Sequence, residues 1–129
     1  MKALLDTHTF LWWITDQPRL PERVHGIIEN GKNEIFVSAA TGWEIIIKFQ
    51  LGRLELPADP ETYLAEQIHR NGFQPLPIRM SHSLHLLAVP PLHRDPFDRI
   101  LIAQAKFEKI PILTSDKQIT RYPVEVIWS

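Results

Sequence analysis

The chain has 129 residues, 44% hydrophobic and 22% charged, enough to bury the core of one domain spanning 1–129 without covalent staples. It has no cysteine, which excludes disulfides, thiolate zinc sites and a cysteine nucleophile and fits a reducing compartment, so a cytoplasmic location is expected. Its 14 basic and 15 acidic side chains nearly cancel to a net charge of −1, so any nucleic-acid surface must come from local charge distribution.

The predicted elements alternate along the chain. "KALL" (2–5) reads as a strand and leads into a helix over 8–15. A helix over 21–30 precedes the strand "EIFV" (34–37), and helices over 39–51 and 60–71 precede "QPLPI" (74–78). Helices over 81–88 and 97–109 come before the strands "IPILT" (110–114) and "VEVIW" (124–128). Gly31, Gly52 and Gly72 each follow a helical run, where a C-terminal glycine is expected, and Pro60 and Ser81 sit near helix starts. Two prolines keep the 74–78 strand short or at a sheet edge. Strands without clean alternation, separated by helices, predict a three-layer α/β/α domain with a mainly parallel central sheet of about five strands. The apolar stretches of "MKALLDTHTFLWWITD" are broken by Asp6 and His8 and are too short for a membrane span, and no signal-peptide pattern is present.

In open α/β sheets, ligands bind beyond the carboxyl ends of the strands. Asp6 directly follows "ALL", Asp116 lies two residues past "ILT", Glu44 sits about two turns into the helix after Ser38, and Asp98 lies in the first turn of the helix opened by "DPFD". These four acids can therefore meet on one rim. Each also has a structural reading. Asp6 can form a turn at the strand end, Asp116 can cap a short helix at 115–120, and Glu44 can pair with Lys48 at i,i+4. Asp95, Pro96 and Asp98 together resemble a capped helix start, with Asp98 in the reciprocal capping position. Glu44 lies between "GW" and "III" on a helix that is apolar around much of its circumference, so its carboxylate needs a compensating partner. Two carboxylates 4 Å apart repel by about 4 kcal/mol at an effective dielectric near 20, which favours protonation or a divalent cation between them. Oxygen ligation without cysteine suits Mg²⁺ or Mn²⁺.

Other constellations are weaker. His82 and His85 are i,i+3, but with His93 they lack a further ligand at zinc-site spacing, so packed or exposed histidines are expected. No G-x-S-x-G elbow makes Ser81 a nucleophile, and no Gly-rich phosphate loop is present. Arg94, Arg99, Lys48 and Lys117 lie close in sequence to the acidic motifs and can hold an RNA backbone around them, or form an ordinary solvated surface. "FLWWI" (10–14) and "EIIIKFQLG" (44–52) carry more bulky apolar side chains than one buried helix face requires.

Taken together, "LLDTHTFLW", "VSAATGWEIIIK", "HRDPFDRILIAQA" and "ILTSD" resemble the successive motifs of the PIN domain family, most closely its VapC-type ribonuclease toxins. The resemblance runs nearly end to end. It implies a Mg²⁺-dependent endoribonuclease (Mn²⁺ substituting) that cleaves single-stranded RNA by metal-activated water. The family's acidic quartet would fall on Asp6, Glu44, Asp98 and Asp116, with Thr7 and Ser115 as polar support and Asp95 as cap and additional acid. It also implies a homodimer and a cognate VapB-type antitoxin, with Trp12 or Trp13 expected at such an interface. The competing expectation is a non-catalytic PIN-like binding module whose acids serve as caps and ion pairs.

Overall fold

A computed structural model describes residues 1–129. Five strands form one sheet: β1 (Lys2–Leu5), β2 (Glu34–Ser38), β3 (Gln74–Leu76), β4 (Ile112–Leu113) and β5 (Val126–Ile127). Their order is β3-β2-β1-β4-β5, and every pairing is parallel. The helices are α1 (Thr7–Ile14), α2 (Glu22–Glu29), α3 (Ala39–Gln50), α4 (Pro60–Arg70), α5 (Met80–His85) and α6 (Pro96–Glu108). None is long and apolar enough to cross a membrane.

The central strand explains the layering. Ala3, Leu4 and Leu5 are all fully buried, as a parallel strand covered on both faces requires. Leu4 packs with Ile112 against Leu101, Ile102 and Ala105 of α6, whereas Ala3 and Leu5 face Phe10, Val24, Ile28 and Leu64 of α1, α2 and α4. α3 contributes Ala40 to the first core and Ile45 to the second. The three-layer α/β/α expectation is met.

Prolines account for most departures from the predicted boundaries. β3 carries Pro75 and lies at the sheet edge, as its sequence predicts. β4 and β5 are only two residues each, and Pro111, directly before β4, has no N–H with which to extend that ladder. The helix expected over 81–88 instead runs Met80–His85 and tightens into a 3-10 turn at Leu86–Ala88. Val89, which precedes Pro90, is forced extended (φ −102°, ψ 106°). Gly52 and Gly72 take the left-handed conformation (φ 72° and 67°) that ends α3 and α4, but Gly31 does not. α2 closes through an extended Asn30, and α6 ends on a left-handed Lys109 (φ 58°) with no glycine.

Candidate functional site

The carboxyl edge of the sheet gathers the acidic residues. Asp6 follows β1 and caps α1: Oδ1 accepts from the Thr9 N–H (2.9 Å), and Oδ2 accepts from the Thr114 hydroxyl (2.5 Å). The side chain is buried, and this desolvation pushes its pKa up against the lowering effect of those hydrogen bonds. The Thr114 hydroxyl also accepts from the Asp116 N–H (3.0 Å), so one threonine ties Asp6 to the loop after β4.

Glu44, the sixth residue of α3, is 4% exposed. Its Oε1 accepts from the Thr7 hydroxyl (2.7 Å), which is also 3.1 Å from that of Thr41, and its Oε2 pairs with Lys48 Nζ at 2.7 Å. Both oxygens of Glu44 are thus engaged. The i,i+4 pair with Lys48 is present, and it compensates the desolvation that the apolar surroundings impose.

The "HRDPFD" segment separates its two aspartates. Asp95 is the N-cap of α6, with Oδ1 accepting from the N–H groups of Phe97 (2.8 Å) and Asp98 (3.3 Å), and Pro96 occupies the first helical position. Asp98 does not close a reciprocal capping box. Its Oδ2 lies 2.8 Å from His93 Nε2, and the His93 backbone N–H is held by the Tyr122 hydroxyl (2.8 Å). Burial, with the carboxylates of Asp95 and Asp116 adding to it, pushes the Asp98 carboxyl up to about 7 despite the His93 hydrogen bond.

Ligand atoms of His93, Asp98 and Asp116 lie within 4.8 Å of one another. Asp6 and Glu44 stand outside that group, linked to it through Thr114 and, by way of the adjacent Thr7, through Asp6. Asp116 also accepts from the Gln118 N–H (2.8 Å), which organises the turn before the 3-10 segment Ile119–Arg121. Of the four acids singled out in the sequence, the structure brings Asp98 and Asp116 together with His93, and Thr114 ties Asp6 to them; the sequence reading names neither His93 nor Thr114 for the site. Thr114 is legible: two residues before Asp116 on an extended run, it shares that residue's face, whereas Ser115 points the other way and is exposed. His93 carries no periodic signal, because it reaches Asp98 across a helix start.

Three other residues or groups singled out in the sequence are placed as follows. Arg99, expected on the RNA-holding rim, turns inward, donating from Nη2 to the Val89 carbonyl (3.0 Å) with Nε buried. Trp12 and Trp13, expected at a partner interface, are half-buried: Trp12 packs against Trp128 beneath Arg19, and the Trp13 indole N–H donates to Asn71 Oδ1 (2.9 Å). Among the exposed large apolar side chains, Trp43 and Leu51 lie on α3 and just after it (59% and 60% exposed), and Met80, Leu84 and Leu87 lie on and after α5 (73%, 68% and 96%). His82, weighed as a zinc ligand, is fully buried, accepts from the Arg79 N–H at Nδ1 (3.0 Å) and meets Glu108 through Nε2 (3.0 Å).

Comparison with known proteins bears on the fold and the family. Ribonuclease VapC16 of Mycobacterium tuberculosis is 36% identical over 59 residues, which cover 46% of this chain and 42% of that protein, so the match spans less than half of the relative. The structure is similar to that of VapBC2 from Rickettsia felis bound to a promoter DNA fragment (TM-score 0.72, 15% identity, 100% of both chains). It is also similar to DNA-bound VapBC from Salmonella typhimurium (TM-score 0.71, 20% identity, 98% and 97% of the chains) and to FitAcB from Neisseria gonorrhoeae (0.63, 21%, 97% and 96%). The sequence profile of the PIN domain matches residues 3–125, nearly the whole chain, and the chain belongs to the PIN domain family.

Proposed function

We propose that the chain is a divalent-metal-dependent endoribonuclease acting on single-stranded RNA, with Mg²⁺ as cofactor and Mn²⁺ able to replace it. In this reading it is a cytoplasmic, homodimeric toxin held inactive by a VapB-type antitoxin. The observation that carries the reading is the convergence of Asp98, Asp116 and His93, tied through Thr114 to the buried Asp6. The similarity to VapC16 and to VapBC complexes supports the activity and the partner, and the exposed Trp43 and Leu51 offer apolar surface for association.

The donor set fits a hard divalent cation. It offers carboxylate oxygens and one imidazole, without a thiol, a combination suited to Mg²⁺ and, through the imidazole, to Mn²⁺. Asp98, Asp116 and His93 would hold it, with Asp6 and Glu44 on the flank. When bound, such a cation stabilises charge developing on phosphoryl oxygens and acidifies a water molecule into a nucleophile. The protein's own residues do the positioning. Thr114 fixes Asp6 against the β4 loop, Thr7 fixes Glu44 Oε1, and Tyr122 holds the His93 backbone so that its ring faces Asp98. Metal-free, Asp98 keeps a proton up to about pH 7, so a cation and a proton compete for that carboxylate near neutrality.

The non-catalytic alternative draws on Asp95 as cap and Glu44 as ion-pair partner. It gives no use to Asp98 facing Asp116 in a desolvated setting, where the two carboxylates work against each other. The test is digestion of total cellular RNA by the full chain with Mg²⁺, Mn²⁺ or excess chelator, with the new ends mapped. Cleavage is expected with either cation and not with chelator, and Asp98→Asn is expected to be inactive. Undiminished cutting by metal-stripped protein in chelator would sink the proposal.

A further inference from the structure

Next to the acidic rim lies a cleft of about 350 Å³ between the C-terminal end of α3 and the start of α6. Glu44 and Asp95 line it on the side of the acids, Leu51 and Phe97 give it apolar walls, and Arg53 and Arg94 are the arginines among its lining residues. The volume is at the low end of the roughly 300–1,000 Å³ typical of small-ligand clefts, room for about one nucleotide unit.

The two arginines have no protein partner. Neither guanidinium makes a hydrogen bond or an ion pair, both residues are exposed, and they stand beside carboxylates that are already spoken for: Glu44 by Thr7 and Lys48, Asp95 by the α6 amides. Arg53 is placed there by backbone geometry. The left-handed Gly52 closes α3 so that the Gly52 N–H reaches the Phe49 carbonyl and the Arg53 N–H reaches the Lys48 carbonyl (3.0 and 2.9 Å). This double closure brings Arg53 back over Lys48. The Phe97 ring is fixed edge-on by Trp43, with ring centroids 5.0 Å apart at 84°. Free guanidiniums above an apolar and aromatic wall match the two parts of a nucleotide: phosphate for the arginines, base for the wall.

We propose that this cleft binds the nucleotide flanking the scissile phosphate of an RNA strand, with Arg53 and Arg94 gripping its backbone phosphate and Phe97 and Leu51 contacting its base. The inference rests on the ribonuclease reading and deepens it by giving the strand a path: it leaves the acids on the α3 side. Arg99 takes no part, being turned inward.

The test is binding of a fluorescein-labelled single-stranded RNA pool, roughly twelve nucleotides long, to the full-length Asp98→Asn protein in Mg²⁺, followed by anisotropy across a salt series. Adding Arg53→Gln and Arg94→Gln should weaken binding roughly ten- to a hundredfold and lower the salt slope by about 0.7 for each phosphate no longer neutralised. A control pair, Lys32→Gln with Arg70→Gln, removes the same charge from the opposite edge of the sheet and should leave affinity within about twofold. In the otherwise unmodified enzyme the arginine pair should raise KM and leave kcat nearly unchanged. Unchanged affinity in the arginine variant, equal loss in the control pair, or loss without a change in slope overturns the cleft assignment while leaving the ribonuclease reading intact. Retained RNA affinity with lost binding to an acidic peptide would make the cleft a protein site and also overturn it. RNA that neither binds nor is cut by the unmodified protein would end both.

Discussion

Replacing Asp98 with asparagine should stabilise the metal-free protein by an amount that is nil at about pH 4, grows as pH rises and is complete above about pH 7. The folded state pushes this carboxyl from 3.8 to about 7, because it is desolvated and faces Asp95 and Asp116. A raised acid pKa means the native state binds the proton more tightly than the unfolded chain does. Stability is therefore full below about pH 4 and is lost progressively as pH rises toward 7. At about 1.36 kcal/mol per pKa unit the ceiling on that loss is about 4 kcal/mol. The carboxylate keeps 16% of its side-chain exposure and a His93 partner, so the expected gain for Asp98→Asn at pH 8 is about 1–2 kcal/mol. For a chain of this size that is a rise in Tm of roughly 3–8 °C. Differential scanning calorimetry in chelator from pH 4 to 8.5 would show the two proteins converging at the acid end and separating at the alkaline end. Saturating Mn²⁺ should raise the Tm of the unmodified protein at pH 8 and that of the variant much less. A variant destabilised by the same amount at every pH would refute the reasoning, since the carboxylate would then be acting as a neutral packing element.

Other substitutions separate the roles around it. Asp95→Asn should keep RNA cleavage within a few-fold, because asparagine caps α6 about as well, whereas Asp95→Ala should cost about 1 kcal/mol in denaturant titration. Thr114→Val removes the donor to the buried Asp6 Oδ2 and should cost about 1–3 kcal/mol and most of the cleavage rate, with Thr114→Ser restoring both. Lys48→Met strands Glu44 Oε2, so Tm in chelator should fall by the equivalent of about 1–2 kcal/mol and recover disproportionately on adding Mn²⁺. Cleavage should drop as pH falls through about 7, and excess Mn²⁺ should carry the midpoint to lower pH; a midpoint indifferent to metal concentration would remove Asp98 from the ligand set.

Much of the architecture is legible because it rests on local rules. The unbroken apolar run Ala3–Leu5 states that β1 is covered on both faces, and Pro75 states that β3 is an edge. Asp95-Pro96 marks the start of α6 from the sequence alone. What stays hidden depends on closures between distant segments. Nothing before the fold is known says that Tyr122 will hold the backbone of His93 or that Arg99 will reach back to Val89. The glycine rule succeeds at Gly52 and Gly72, where α3 and α4 close through a left-handed residue, and fails at Gly31, because α2 leaves through extended Asn30 instead. The acids themselves are legible as strand-end and helix-start residues, but their division of labour is not. That division follows from hydroxyls and cations contributed by other elements.

That division also gives the site an order. Asp6 offsets its burial with two hydrogen-bond donors, Thr9 and Thr114. Glu44 offsets its own with a hydroxyl and an ammonium. Asp98 has only the His93 ring, against two neighbouring carboxylates, and makes up the difference by holding a proton to about pH 7. Among the acids, then, the pair Asp98–Asp116 is where a divalent cation gains most, because there it relieves a repulsion between carboxylates at the expense of the single His93–Asp98 hydrogen bond. Glu44 can join only by giving up Lys48, and Lys48 lines the cleft whose arginines await a phosphate. If the strand proposed for that cleft draws Lys48 to its phosphate, Glu44 Oε2 loses its ion-pair partner and can turn to the rim. Substrate and cation should therefore bind with positive cooperativity, and Lys48→Met, having no ammonium to release, should abolish it.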